Sequence, residues 1–315
     1  MIRAGGPISV ERYMALCNAH YYATRDPLGA AGDFVTAPEI SQMFGELVGA
    51  ALADCWLRAG APADAAYVEL GPGRGTMAAD ALRVLRQSGI LGGVHFVETS
   101  PRLREEQAGR VPDARWHAAL EDLPGVPMLL VANEFFDALP VRQWVGEDER
   151  HIDLHGNALA FTANGPIRED SPAREQAAQA LAGRLRAHGG VALVIDYGHA
   201  RSSAGDTLQA VRRHGFADVL GNPGEQDLTA HVDFEALARA AAIEPIAIAP
   251  VISQGDWLER LGIGHRATAL AEAHPRRAPE IEISVKRLTG AGEMGALFKV
   301  MAIHSAEWPR PAGWP

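Results

Sequence analysis

Residues 69–76 read Glu-Leu-Gly-Pro-Gly-Arg-Gly-Thr, three glycines in five positions with a carboxylate two residues ahead of the first. Glycine lets the backbone come close to a ligand where any side chain would collide. Between a strand and a helix, such a loop seats nucleotide-bearing ligands. A dinucleotide reader wants G-x-G-x-x-G or A, whose last small residue permits close helix packing. Here the spacing is Gly71, Gly73, Gly75, and Thr76 stands where that last glycine would be. S-adenosylmethionine has no pyrophosphate; it presents an ammonium, a carboxylate and a sulfonium. A carboxylate at Glu69 serves such a ligand better than an empty anion nest does. Glu98, 23 residues after Gly75, closes the next apolar run and suits a bidentate hold on two ribose hydroxyls. The plain alternative is a tight turn with Glu98 as a solvated strand end.

The elements that must position these residues alternate. Ala66–Leu70 reads as a buried strand and Thr76–Gln87 as a helix, then Val94–Glu98 as a strand and Pro101–Gly109 as a helix. Further strands are expected at 114–116, 128–132, 191–195, 245–249 and 297–303. Strands alternating with helices imply a mostly parallel, Rossmann-like α/β sheet with helices on both faces. Ahead of it, residues 8–19 and 41–57 carry helical patterns, and residues 1–60 are expected to form an N-terminal helical lid. The domain proper is then 61–315, with a hairpin insertion near 141–165 and a long connection near 198–232. Long loops at strand C-terminal ends usually cover ligands.

The chain has 315 residues and is 47% hydrophobic, ample for one large core. Its net charge of −10 argues against a nucleic-acid partner, whose phosphates require a field of the opposite sign. Cys17 and Cys55 lack C-x-x-C spacing, and no His, Asp or Glu cluster has metal-ligand spacing, so no metal is expected. No apolar stretch reaches membrane-spanning length, so no membrane insertion is expected, and a cytoplasmic setting follows. No G-x-S-x-G elbow offers a hydrolase nucleophile. Oligomeric state leaves no readable mark.

Several blocks resemble the MidA-like family, relatives of the mitochondrial complex I assembly arginine methyltransferase. They are Gly32–Glu39 (GDFVTAPE), Val68–Thr76 (VELGPGRGT), Val97–Pro101 (VETSP) and Asn133–Pro140 (NEFFDALP). Ile195–Gly198 (IDYG), Asp227–Phe234 (DLTAHVDF) and Met294–Val300 (MGALFKV) continue the likeness along nearly the whole chain. The resemblance implies a class I methyltransferase fold, S-adenosylmethionine as cofactor, and methylation of an arginine in a complex I subunit. The expected cofactor set is Asp33, Phe34, Glu69, Gly71, Pro72, Gly73, Gly75, Thr76, Glu98, Thr99, Ser100 and Asn133, with Asp33 and Phe34 closing over the ligand.

A guanidinium is protonated at all ordinary pH and so is a poor nucleophile. Carboxylates grip its planar fork and localise its charge so that one nitrogen can attack. Glu134 is therefore the expected main clamp, with Asp137 or Asp196 as a second carboxylate and Tyr197 orienting. The competing view makes Glu134 a helix cap and Phe135 and Phe136 core. His231 and Asp233 either line the substrate mouth or serve structure. Asn133-Glu134-Phe135-Phe136 also resembles the N-P-P-Y/F of nucleic-acid amine methyltransferases but lacks both prolines. The functional alternatives are a non-catalytic complex I assembly factor on the same fold, a small-molecule or nucleic-acid methyltransferase, and a nicotinamide oxidoreductase.

Overall fold

The computed structural model describes residues 2–24, 36–90, 92–212 and 215–315. Asp33 and Phe34 lie outside the described residues. The main sheet contains β1 (Ala66–Leu70), β2 (Val94–Val97), β3 (Ala114–His117), β4 (Met128–Asn133), β5 (Gly190–His199) and β6 (Phe298–His304). Their order across the sheet is β3-β2-β1-β4-β5-β6. The first five run parallel and β6 is antiparallel to β5. Strands covered on both faces should be apolar throughout rather than alternating, and β1 and β4 are buried at every position.

The longer helices are α1 (Val10–Thr24), α2 (Gln42–Arg58), α3 (Thr76–Gln87), α4 (Pro101–Arg110), α5 (Pro172–His188), α6 (Phe234–Ala241), α7 (Gln254–Arg260), α8 (Ile263–Ala273) and α9 (Ala278–Thr289). Two apolar clusters show how they cover the sheet. One joins α2 and α3 to Tyr67, Phe96, Leu129 and Val300; the other joins α5 and α6 to Val68, Leu130, Val194 and Met301. Neighbouring strand residues such as Tyr67 and Val68 fall into different clusters because side chains alternate between faces.

Four parts of the sequence-level picture change. The 141–165 stretch is not one hairpin: 142–145 pairs with 167–170, while 151–155 pairs with 8–9 and 158–161. Strand 245–249 shrinks to 247–248. The 198–232 connection holds its own small sheet, 209–212 with 215–217 and 227–229. Helices α5–α9 were not anticipated; the buried stripe of α5 mixes Arg174, Ala178 and Ala182 with Leu181 and Leu185, which gives a faint hydrophobic period. Helix α2 packs within the main core, whereas α1 packs with Ile152, Leu208 and Leu228.

Strand β5 overruns the sheet to pair with 232–233, Gly198 opposite Val232. A Cβ on Gly198 would sit 2.1 Å from the Val232 carbonyl oxygen and 2.6 Å from its nitrogen. Gly198→Ala is therefore expected to lower stability by about 1–3 kcal/mol, the usual cost of overpacking, read as a lower urea midpoint. An unchanged midpoint would show that the 232–233 strand yields freely.

Candidate functional site

Leu70 is in register with Val97 on one side and with Ala132 on the other, and Asn133 with Ile195. The C-terminal ends of four parallel strands thus share one edge. After β1 the chain moves outward to β2 and β3, then returns to β4 on the opposite side. Ligands of open α/β sheets bind in the crevice that such a switch creates. A cavity of about 780 Å³ lies there, within the range of small-molecule sites. Of the expected residues, Glu69, Gly71, Pro72, Gly73, Thr76, Glu98, Thr99, Ser100, Asn133 and Glu134 line it.

The glycine loop is held open by backbone conformation. Gly71 and Gly73 have φ of 60° and 54°, the left-handed region that costs other residues about 1–2 kcal/mol. A Cβ at Gly71 would stand 3.3 Å from the Phe135 ring. Gly75 starts helix α3 facing Gln107 and is absent from the cavity wall. Thr76 has a different task from the packing glycine of a dinucleotide loop: its hydroxyl donates to Glu39 Oε1 at 2.6 Å, tying the Ala37–Ile40 helix to the loop.

Glu69 shares a strand face with Tyr67, two residues away, and accepts its hydroxyl proton at 2.8 Å. Burial pushes the Glu69 carboxyl up to about 8, against the lowering effect of that bond. Glu98 accepts from the Ser100 amide at 2.8 Å and from Gln107 Nε2 at 3.4 Å, and burial raises its carboxyl too. The Thr99 backbone is a third contact; a carboxylate has about four acceptor positions, so capacity remains for a ribose hydroxyl. Ser100 is the N-cap of α4, its hydroxyl accepting from Leu103 N. Sequence reasoning missed Gln107, which is fully buried and also donates to the Gly73 carbonyl at 2.7 Å. It accepts from Trp116 Nε1 at 2.7 Å. Its signal was a glutamine four residues after Leu103 on the buried stripe of α4.

At the end of β4, Asn133 Nδ2 donates to Glu134 Oε1 at 3.1 Å, while the buried Asn133 Oδ1 has no partner. Glu134 has φ +50°, and its amide donates to the Ile195 carbonyl at 2.9 Å. Burial, then the charge of Asp137, pushes its carboxyl up to about 8; the Asn133 amide and the Ala37 N–H pull the other way. It is a cavity residue whose carboxyl also meets the first amide of the Ala37–Ile40 helix, so the wall position and the helix-start contact coexist.

Asp137 and Tyr197 lie off the cavity wall. Asp137 is buried and bonded to Tyr197; burial raises its carboxyl above the usual range. Asp196 is fully buried and holds the turn, Oδ2 accepting from the Phe136 and Asp137 amides at 3.0 and 3.1 Å. Arg174, also missed, is buried beside them and donates to the carbonyls of Asp137, Ala230 and His231 at 2.9, 2.9 and 2.6 Å. These residues form a braced layer behind Glu134. His231 stacks edge-on against Tyr197, and Asp233 caps α6 through the Ala236 amide. Among the described residues, no cluster could hold a metal ion, and no helix is long and apolar enough to cross a membrane.

Five glutamates, Glu39, Glu69, Glu98, Glu121 and Glu134, line the cavity beside Arg74, which pairs with Glu106 at 3.3 Å. Where its carboxyls are ionised, such a lining favours a cation. S-adenosylmethionine fits it: glycine backbone for close approach, a diol partner in Glu98, and a bare acceptor at Asn133 Oδ1 for an ammonium.

The model of an S-adenosyl-L-methionine-dependent methyltransferase family, Methyltransf_28, matches residues 47–165 and 145–249. "Protein arginine methyltransferase NDUFAF7, mitochondrial" of Xenopus tropicalis is 34% identical over 360 residues, 96% of this chain and 83% of the relative. The Drosophila melanogaster homolog is 36% identical over 361 residues, 96% of this chain and 82% of the relative. A Burkholderia thailandensis crystal structure with S-adenosyl-homocysteine bound superposes with a TM-score of 0.83 at 25% identity, covering 99% of this chain and 91% of that one. The cytoplasmic setting expected from the sequence is corrected: the curated relatives are named mitochondrial, which points away from the cytoplasm. The sheet order, the strand-end cavity and these matches agree, and the chain belongs to the S-adenosylmethionine-dependent methyltransferases of the class I fold, in the family of the NDUFAF7-type enzymes.

Proposed function

We propose that the chain methylates an arginine side chain of a protein partner, and that this partner is a subunit of respiratory complex I. The observation that carries the first half is Glu134, a carboxylate on the cavity wall one residue beyond Asn133. The name of the matching relatives, protein arginine methyltransferase, supports it. The resemblance described above supports the second half.

Glu69, the Gly71–Gly73 backbone, Glu98 and Asn133 would hold S-adenosylmethionine, and Asp33 and Phe34 would close over it. When bound, the cofactor supplies an electrophilic methyl group on a sulfonium. The protein then aligns the nucleophile with that methyl and excludes water. Glu134 grips the guanidinium fork and, with a carboxyl near 8, takes up the proton that the attacking nitrogen sheds. Asp137, Asp196 and Tyr197 position it from behind. Of residues 1–60, α1 serves as the lid, with 61–315 as the catalytic domain.

Mass spectrometry of complex I subunits, with the gene present and deleted, tests the whole proposal. A methylarginine that vanishes on deletion supports it. An unmodified complex whose assembly nonetheless depends on the gene would favour a non-catalytic assembly factor.

A pH profile follows from Glu134. Its raised carboxyl is protonated at low pH, and a guanidinium binds the ionised form. Accordingly, kcat/KM for the protein substrate is expected to rise with pH and level off above about 8. A wild-type profile that falls with rising pH over that range would contradict this assignment.

A further inference from the structure

Asp137 and Asp196, either of which was expected as the second carboxylate beside Glu134, are buried off the cavity wall, so the second substrate contact comes from elsewhere. Helix α1 runs over the cavity and is fixed there by two residues one turn apart on the same face. Asn18 Nδ2 donates to the carbonyls of Leu228 and Ala138 at 2.8 and 3.0 Å, and its Oδ1 accepts from the Leu228 amide at 3.2 Å. Tyr22 donates its hydroxyl proton to Asp227 Oδ1 at 2.9 Å. Tyr22 lines the same cavity as Glu134, while Asp227 is buried at 3% exposure and off the wall. The charge of Asp227 also reaches Glu134, raising its carboxyl.

The single hydrogen of Tyr22 is thus committed to Asp227. Half-buried on the cavity wall, Tyr22 has only lone pairs on oxygen and a ring face left to offer a ligand. A guanidinium has five N–H donors and no acceptor, so it matches a wall group that can only accept. Its planar fork can span two acceptors at once, which a point-like ammonium does less well. We propose that Tyr22 is a substrate-facing residue that accepts a hydrogen bond from the arginine guanidinium alongside Glu134, with Asp227 as the residue that orients its hydroxyl. This rests on the arginine assignment above.

Calorimetry on the full chain loaded with S-adenosylhomocysteine tests it, with capped Gly-Arg-Gly and Gly-Lys-Gly peptides as probes. Tyr22→Phe is expected to weaken the arginine peptide about tenfold, the worth of one hydrogen bond to a charged group. Its cofactor affinity and its lysine-peptide affinity stay at wild-type values. Asp227→Leu is expected to fall with Tyr22→Phe, and Asp227→Asn, which keeps an acceptor for the hydroxyl, to recover most of the affinity. Unchanged arginine-peptide binding in Tyr22→Phe, with loss in Glu134→Gln, would overturn the role of Tyr22 and leave the arginine assignment standing. A Tyr22→Phe protein that loses cofactor affinity and thermal stability together would make the residue merely structural. Wild-type protein that does not distinguish the two peptides would overturn both.

Discussion

Glu134→Gln is expected to cut methyl transfer to the protein substrate by about 10²–10³, the typical cost of removing one preorganised electrostatic contact from an active site. The substitution keeps the size of the side chain and the Asn133 and Ala37 neighbourhood, so fold and cofactor uptake should persist. What it removes is the charge proposed to localise the guanidinium and the base proposed to take its proton. Single-turnover transfer measured beside S-adenosylhomocysteine affinity separates these roles. Transfer within about threefold of wild type would remove Glu134 from the chemistry, because that is a small fraction of the expected effect. Loss of cofactor affinity alone would instead place the residue on the cofactor side of the cavity.

Glu98→Ala is expected to act at the other end. The Glu98 carboxylate spends acceptor positions on the Ser100 amide, Gln107 and the Thr99 backbone. The capacity that remains is the proposed hold on the ribose. Charge-assisted bonds of this kind contribute about 1.5–3 kcal/mol, so cofactor affinity should fall about tenfold to a hundredfold. Helix α4 keeps its Ser100 cap, and stability should change little. Equal affinity of wild type and variant, measured by calorimetry, would mean that the ribose is held elsewhere. Because Gln107 joins Glu98 to the Gly73 carbonyl, a partial effect on loop order is expected as well.

The sheet and the cofactor loop were legible for one reason: parallel strands covered on both faces appear as short apolar runs, and their ends are marked by glycine and carboxylate. Glu69, Gly71, Gly73 and Glu98 follow from that local grammar, and all line the cavity. The substrate side was legible only to the level of a motif. Within Asn133–Pro140, spacing alone could not say that Glu134 faces the cavity while Asp137 turns into a buried network. That depends on a left-handed residue, which nothing in the letters marks. Tyr22, Gln107 and Arg174 arrive from distant segments, and their partners are 205, 34 and 37 residues away or similar. Helices α8 and α9 bury only Ile263, Leu270, Ile281 and Leu288 and so left few apolar positions to read. Composition carried no compartment signal, and the cytoplasmic expectation failed accordingly.

The positive φ of Glu134 bears on how this fold can change over time. Glycine would adopt that backbone without penalty and would remove a carboxyl that burial keeps from ionising freely. Drift toward glycine or asparagine there is thus downhill for folding, and only a demand for chemistry opposes it. A chain of this architecture that retains the glycine loop and the Glu98 counterpart but carries a small residue at this corner would be a binder of the nucleoside that has given up transfer. If Glu134 is the proposed clamp, the identity of one residue after the fourth strand would sort working enzymes from scaffolds before any assay is run.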